Sequence, residues 1–248
     1  MKKNKAGFAV FCFICGIIMG AIIGVLIGMF LFGNKTGQTT GETKEPVTVE
    51  SEGQTQSGQE PQAETEADAR EEDTISVITV GDQTISMVEM NVYLYQLRDF
   101  YTTQYGESPW NTTMDDGTLL GDYAKNELYN GLVRTEILIA KAGDYDVALT
   151  DEEKQQCADA AKEYIDSLGS AICQDFGLTL EGVTTVNEKE ALSTKVYNAA
   201  LDQLSSETGE TSDEALAEAF EEQYAQWQSE YTVETDPIWD NIVVGSVG

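Results

Sequence analysis

Histidine is missing from the chain and basic residues are scarce: 14 lysines and arginines face 44 aspartates and glutamates over 248 positions, a formal net charge of −30. Without histidine, neither a Ser-His nor a Cys-His nucleophile can be assembled. General acid–base chemistry by carboxylates stays open. Residues 74–248 hold 33 of the acidic residues, so chance pairs are unavoidable and none is singled out. The negative charge repels phosphate backbones, which excludes nucleic acid as a partner. It also holds the chain off an anionic membrane face and attracts basic or unfolded cationic segments. Solubility alone is its simplest role.

Cysteine is equally sparse. Of the four, Cys12 and Cys15 fall in an apolar run. Cys157 and Cys173 would stand ~24 Å apart on one straight helix, beyond bridging range. A disulfide between them requires a chain reversal near Gly169 and Ser170; otherwise both are small buried apolar residues.

Charge of either sign is absent between Lys5 and Lys35. At ~1.5 Å per helical residue, residues 6–34 (AGFAVFCFICGIIMGAIIGVLIGMFLFGN) can cross a hydrocarbon core ~30 Å thick. The run exceeds the ~7–15 apolar residues of a cleavable signal peptide and offers no small-residue exit site, because Met29-Phe30-Leu31-Phe32 stands there. Residues 1–33 therefore read as a cytoplasmic stub and a retained signal anchor. Lys2, Lys3 and Lys5 precede the run, so the positive-inside rule places the N-terminus in the cytoplasm and the remainder outside the cell membrane. Gly16, Gly20, Gly24 and Gly28 recur every fourth residue on one helix face, where a second backbone can approach closely and form a homodimer.

Residues 34–73 are Gly, Thr, Gln and Glu with almost nothing apolar. Such composition cannot bury enough surface to offset ordering entropy, so this acidic linker is expected to be disordered. As a coil its reach is on the order of 35 Å.

From Ile75 the pattern changes. Ile75, Val77, Ile78 and Val80 form a β-branched run that meets Gln83-Thr84-Ile85 through Gly81-Asp82, a hairpin signal. Ser86 with Glu89 forms a capping box that opens a helix, whose Met90, Leu94, Leu97 and Tyr101 share one face before Gly106 ends it. Residues 106–118 are a loop in which Asp115-Asp116-Gly117 reads as a turn. The next helix starts at Leu120, with Leu128, Leu132, Ile139 and Ala142 in a stripe widened by Val133, Ile137 and Ala140. Thr150 with Glu153 forms a second capping box. That helix carries Cys157, Ala161, Tyr164 and Leu168 and breaks near Gly169. Residues 186–204 are helical, and Thr211 with Glu214 is expected to cap a last helix bearing Leu216, Phe220, Trp227 and Tyr231. Residues 237–247 read as one closing strand that pairs with the first. Asp144, Asp146 and Asp151 suggest calcium, yet Leu149 and Gln155 occupy the positions where a calcium loop needs glycine and glutamate. Neither a metal nor a cofactor is expected.

The order of these segments resembles the N-terminal chaperone region of the SurA/PrsA extracytoplasmic foldases. The likeness lies in the hairpin VITVGDQTISMVE (77–89), the helix NGLVRTEILIAKA (130–142) and VALTDEE (147–153), continued by LSTKVY (192–197) and DEALAEAF (213–220). It implies a mainly α fold: a membrane-spanning helix, a linker, then a helical domain over 74–248 with a small sheet of hairpin and C-terminal strand. In that family the helical region cradles unfolded chains and a parvulin-type prolyl isomerase usually follows. Only residues 232–248 follow Tyr231 here, too few for such a unit of ~100 residues, and the histidines of parvulin sites are missing. The expectation is therefore a membrane-anchored chaperone, holdase or foldase-like, with no isomerase site and no other enzymatic activity. Its clients would be unfolded or newly secreted polypeptides, in an envelope of Gram-positive type.

Met87, Tyr93, Tyr95, Trp110 and Met114 lie outside the clearest core stripes and are the candidate client contacts, since methionine and tyrosine suit adaptable apolar surfaces. Each could equally pack in the core. The rival reading is a non-catalytic envelope module that binds one dedicated partner; a carboxylate hydrolase ranks below both. If the glycine face joins two anchors, the full chain in detergent runs as a dimer, and Gly20→Ile with Gly24→Ile converts it to monomer on analytical ultracentrifugation. A monomer at every concentration of the unaltered chain would refute the face.

Overall fold

A computed structural model describes residues 75–245. The expected membrane span, its glycine face and the linker lie outside the described residues. Among the described residues, no helix is long and apolar enough to cross a membrane. This part is mainly helical, with a small three-stranded antiparallel sheet.

The β-branched run forms strand β1 (Ser76–Val80), which turns through Gly81 and Asp82 into β2 (Gln83–Ser86). Val77, Ile78, Val80 and Ile85 are wholly buried. Gly81 has φ +58°, and a Cβ there would lie 2.8 Å from the Tyr231 ring, so the turn accepts only glycine. The third strand, β3 (Val233–Thr235), pairs with the other edge of β1, giving the order β2-β1-β3.

The chain end thus returns to β1 as expected, but with an earlier segment than 237–247. Proline lacks the N–H a ladder needs. At Pro237 the chain instead enters a short helix, Ile238–Asn241, whose first N–H is accepted by Asp236 Oδ1 at 2.9 Å. Beyond it the chain runs on without a strand partner, with Ile242 and Val244 buried and Val243 60% exposed.

Both capping boxes form. Ser86 Oγ accepts from the Glu89 N–H at 3.3 Å, and Glu89 Oε2 accepts from the Ser86 N–H at 2.8 Å, which opens α1 (Met87–Tyr105). After a loop holding a single 3₁₀ turn comes α2 (Leu120–Ala140), then α3 (Asp151–Leu168), opened by the reciprocal Thr150–Glu153 pair. In α2 the expected Leu128, Leu132, Val133 and Ile137 are buried and Ile139 only partly so, while Ala142 lies beyond the helix in a 3₁₀ turn, also partly buried. The brief α4 (Ser170–Asp175) follows the break at Gly169. Cys157 on α3 and Cys173 on α4 are free thiols; the latter donates to Ile165 O at 3.8 Å.

The fifth helix, α5 (Leu180–Thr208), begins six residues before the expected start at 186. Thr179 Oγ1 accepts from the Gly182 N–H at 3.0 Å and so caps it. Gly182 weakens the sequence signal for a helix, yet its missing side chain is what the packing needs. A Cβ there would lie 2.6 Å from Val88 Cγ1 on α1. The last long helix, α6 (Asp213–Gln228), lacks the expected Thr211–Glu214 cap. Glu210 instead fixes the turn before it, accepting from the Thr211 and Ser212 N–H groups at 2.8 Å each. The short helix at Ile238–Asn241 is α7.

Helix α5 packs against α1, α2, α3 and α6 and forms the spine of the domain. Most of the domain's cations are turned inward to fasten neighbours to this spine or to α2. Arg134 on α2 forks onto Glu221 of α6 at 3.0 and 2.7 Å, its guanidinium 4.7 Å from the Tyr224 ring centre and 5.2 Å from that of Phe220. Lys141 pairs with Glu230 at 2.6 Å and faces the Trp227 and Tyr231 rings. Lys195 on α5 bonds both carboxylate oxygens of Glu153 at 2.8 Å, so the residue that caps α3 also ties it to the spine.

Lys189 on α5 pairs with two buried carboxylates, Glu89 and Glu136, whose side chains are 7% and 1% exposed. Removing one member of a buried pair leaves the other charge uncompensated, at a cost of about 3–5 kcal/mol. Lys189→Met is expected to lose that much in urea unfolding, whereas Lys162→Met, from the exposed pair with Asp166, stays within about 0.5 kcal/mol. Equal effects would mean that the buried cluster does not anchor the fold.

Candidate functional site

The Ser86–Glu89 box sets the first turn of α1, and the helical period then places Met87, Asn91 and Leu94 on one face. Opposite them stand Ile238, Asn241, Ile242 and Val243, from α7 and the segment after it. Between the two walls lies a solvent-open, largely apolar cleft of ≈ 230 Å³. Leu94 and Ile242 are 3% and 8% exposed and form its floor, while Val243 stands on the rim.

The C-terminal wall is held from behind. Lys125 on α2 donates to Trp239 O and Ile242 O, both at 2.7 Å, and lies 4.9 Å from the Trp239 ring centre. Trp239 also packs on the Tyr129 ring at 5.7 Å. Val244 is buried. At Gly245, with φ +88°, a Cβ would fall 2.1 Å from Trp110 Nε1, so the indole occupies the space a side chain would fill.

Two side-chain amides punctuate the apolar walls. Asn91 Nδ2 donates to Gly177 O at 3.5 Å and Asn241 Nδ2 to Pro237 O at 3.3 Å. Both bonds use the amide nitrogens, leaving the carbonyl oxygens as acceptors. Among the described residues, no lysine or arginine lines the cleft. Asp236 and Asp240, both exposed, flank its α7 wall.

Of the five residues anticipated as client contacts, Met87 lines this cleft. Tyr93 is 1% exposed, inside the domain. Tyr95 is buried with its ring edge-on to Phe176 at 4.9 Å. Trp110 is half-buried against Tyr101 and Gly245, and Met114 packs, also half-buried, on the core. Nine residues of α1 are buried, so a single stripe understates how much of that helix is covered. Leu94 was read only as core, and Ile238, Asn241, Ile242 and Val243 escaped sequence reasoning because 237–247 looked like a strand. The available signal was Pro237.

Behind the cleft lies the cluster around Lys189, whose ammonium reaches Glu89 Oε1 at 2.5 Å, Glu136 Oε1 at 2.8 Å and Thr84 O at 2.7 Å. Glu89 Oε1 makes this ion-pair contact without a directed hydrogen bond, and Glu136 Oε2 and the Tyr93 hydroxyl have no hydrogen-bond partner. Burial, reinforced by Glu190, Glu136 and Glu89, pushes Tyr93 ionisation well up. Burial also raises Glu136, against the pull of Lys189. Glu190 keeps some solvent exposure, yet desolvation of its carboxyl pushes it up to about 8. Glu136 and Tyr93 are sealed from solvent, and the cluster ties β2, α1, α2 and α5 together.

The remaining reactive groups are subdued. Burial, with Glu188 and Glu153 nearby, pushes the Cys157 thiol up to about 11, which disfavours the nucleophilic thiolate. Among the described residues, no group of Cys, Asp and Glu is arranged to hold a metal ion, Asp144, Asp146 and Asp151 included. Comparison of the chain with protein-family models, curated proteins and solved structures finds no match.

The raised carboxyls fix the sign of the pH response. Glu190 takes up its proton at about 8 when folded against an ordinary 4.5. Between those values the folded state therefore binds more protons than the unfolded one, and stability falls as pH rises. The contribution is intact below 4.5 and lost above about 8. The melting temperature is expected to drop between pH 5 and pH 8, and Glu190→Gln to flatten that drop chiefly by raising the pH 8 value. A variant that melts in parallel with the parent at both pH values would refute the role of Glu190.

Proposed function

We propose that the chain is a membrane-anchored extracytoplasmic chaperone that holds unfolded or newly secreted polypeptides and carries no isomerase site of its own. The observation that carries this reading is the apolar cleft, open to solvent within a strongly acidic domain and lined by Met87, a side chain that adapts to varied partners. Floor residues supply an apolar contact, and the asparagine oxygens can accept backbone N–H groups from an extended segment. The surrounding negative charge keeps a loaded complex soluble. The order of hairpin, boxed helices and acidic last helix supports kinship with the SurA/PrsA chaperone region. The apolar stretch at residues 6–34 supports a single-pass anchor with a cytoplasmic N-terminus.

A second reading, the module for one dedicated partner, is favoured by the cleft's size. At ≈ 230 Å³ it falls below the ~300–1,000 Å³ of small-molecule sites and suits one inserted apolar key.

Residues 74–248, mixed with several unrelated unfolded clients, are expected to suppress aggregation in proportion to their concentration and to leave the isomerisation rate of a prolyl peptide unchanged. Met87→Gln with Val243→Gln makes the cleft polar at near-constant size and should abolish most of the protection while the circular dichroism spectrum is retained. Protection of a single client alone would transfer the assignment to the dedicated-partner module. Protection of none would remove the chaperone reading.

A further inference from the structure

We infer that the cleft selects apolar segments that carry a lysine or arginine next to the inserted side chains; this inference rests on the chaperone reading. Its starting point is how the domain's cations are used. Residues 74–248 contain 8 basic residues against 33 acidic ones. Lys125, the cation engaged with the cleft wall, is committed from behind to two carbonyls of that wall. The lining residues are Met87, Leu94, Ile238, Ile242 and Val243 with two neutral amides. A bound segment therefore meets no positive charge inside the cleft.

Beside the α7 wall the flanking side chains are acidic. Asp236 and Asp240 are exposed on either side of Ile238, the first α7 residue of the wall. Asp236 is fixed in place because its Oδ1 accepts the Ile238 N–H and its own N–H is accepted by Val77 O at 3.0 Å. Its second oxygen stays available to a ligand cation. A segment whose apolar side chain sits on Leu94 and Ile242 brings its neighbours along the chain to this rim. One or two residues of extended chain span ~3–7 Å, within reach of a long lysine or arginine side chain. Unlike charges at such separations attract in water, whereas a flanking glutamate is repelled, and salt screens both effects.

The test uses the full chain in nanodiscs of zwitterionic phosphatidylcholine. Three fluorescent peptides share one Leu-Val core, flanked by lysines, serines or glutamates, and binding is read by anisotropy. The lysine-flanked peptide is expected to bind about tenfold tighter than the serine-flanked one, and the glutamate-flanked one weakest. The preference should shrink at high salt and in Asp236→Asn with Asp240→Asn, a pair that keeps the α7 cap. Met87→Gln with Val243→Gln should weaken all three peptides and, in the same discs, removes any contribution from the bilayer. Equal binding of the three peptides, still lost in the Met87/Val243 variant, would overturn the charge selection and leave the chaperone reading standing. A lysine preference that survives both aspartate changes would overturn the assignment of selection to this rim. Failure of every peptide to bind, or binding indifferent to the Met87/Val243 variant, would overturn both readings.

Discussion

The ammonium of Lys189 reaches a carbonyl of β2 at Thr84, a carboxylate of α1 at Glu89 and a carboxylate of α2 at Glu136, all from the spine helix α5. Four elements, of which β2 and α1 are consecutive, meet on one charge. Glu89 also caps α1, so the geometry that starts that helix and the contact that docks it on α5 share a side chain. Buried ion pairs stabilise little in net terms but cost much to break, which makes them devices for defining one arrangement. Here the defined arrangement sets the first turn of α1, and with it one wall of the cleft.

The same economy of cations shapes the surface. Arg134, Lys141, Lys189 and Lys195 are drawn into contacts between elements, and Lys125 supports the C-terminal segment. Positive charge used this way no longer offsets the acidic residues outside. A domain with so few cations therefore gains cohesion inside and a nearly one-signed exterior from one cause. Against that exterior, an apolar opening is the exception. It occurs where the chain, having closed the sheet through β3, is carried back across α1 by Pro237 and held there by Lys125, Trp239 and Trp110.

Much of the local structure was legible in the sequence because its causes are local. The Ser86–Glu89 and Thr150–Glu153 boxes, the Gly81 turn and the breaks at Gly106 and Gly169 each rest on residues within a turn of one another. The candidate site was legible only through Met87. Tyr93 and Tyr95 look like free aromatics on a helix read as one stripe, yet α1 is covered on several sides by the sheet, α2 and α5. The start of α5 was obscured by Gly182, whose value lies in the contact with Val88, a neighbour that no local pattern reveals. The Thr211–Glu214 box does not form, and the Thr211 N–H it would have used is taken by the Glu210 carboxylate.

What the sequence by itself determined is a charge-free apolar stretch, a polar acidic stretch after it and a mainly helical part with a small sheet, since periodicity, capping chemistry and charge balance act over a few residues. It also excluded histidine chemistry outright. Tertiary structure alone decided which segment pairs with β1, which cations meet which carboxylates, and that residues 87–94 and 238–243 face one another across a cleft. Those outcomes depend on contacts between positions far apart in the chain, 42 residues for Lys195 with Glu153 and 117 for Lys125 with Ile242. Their energies exist only once the intervening helices have packed and taken the groups out of water.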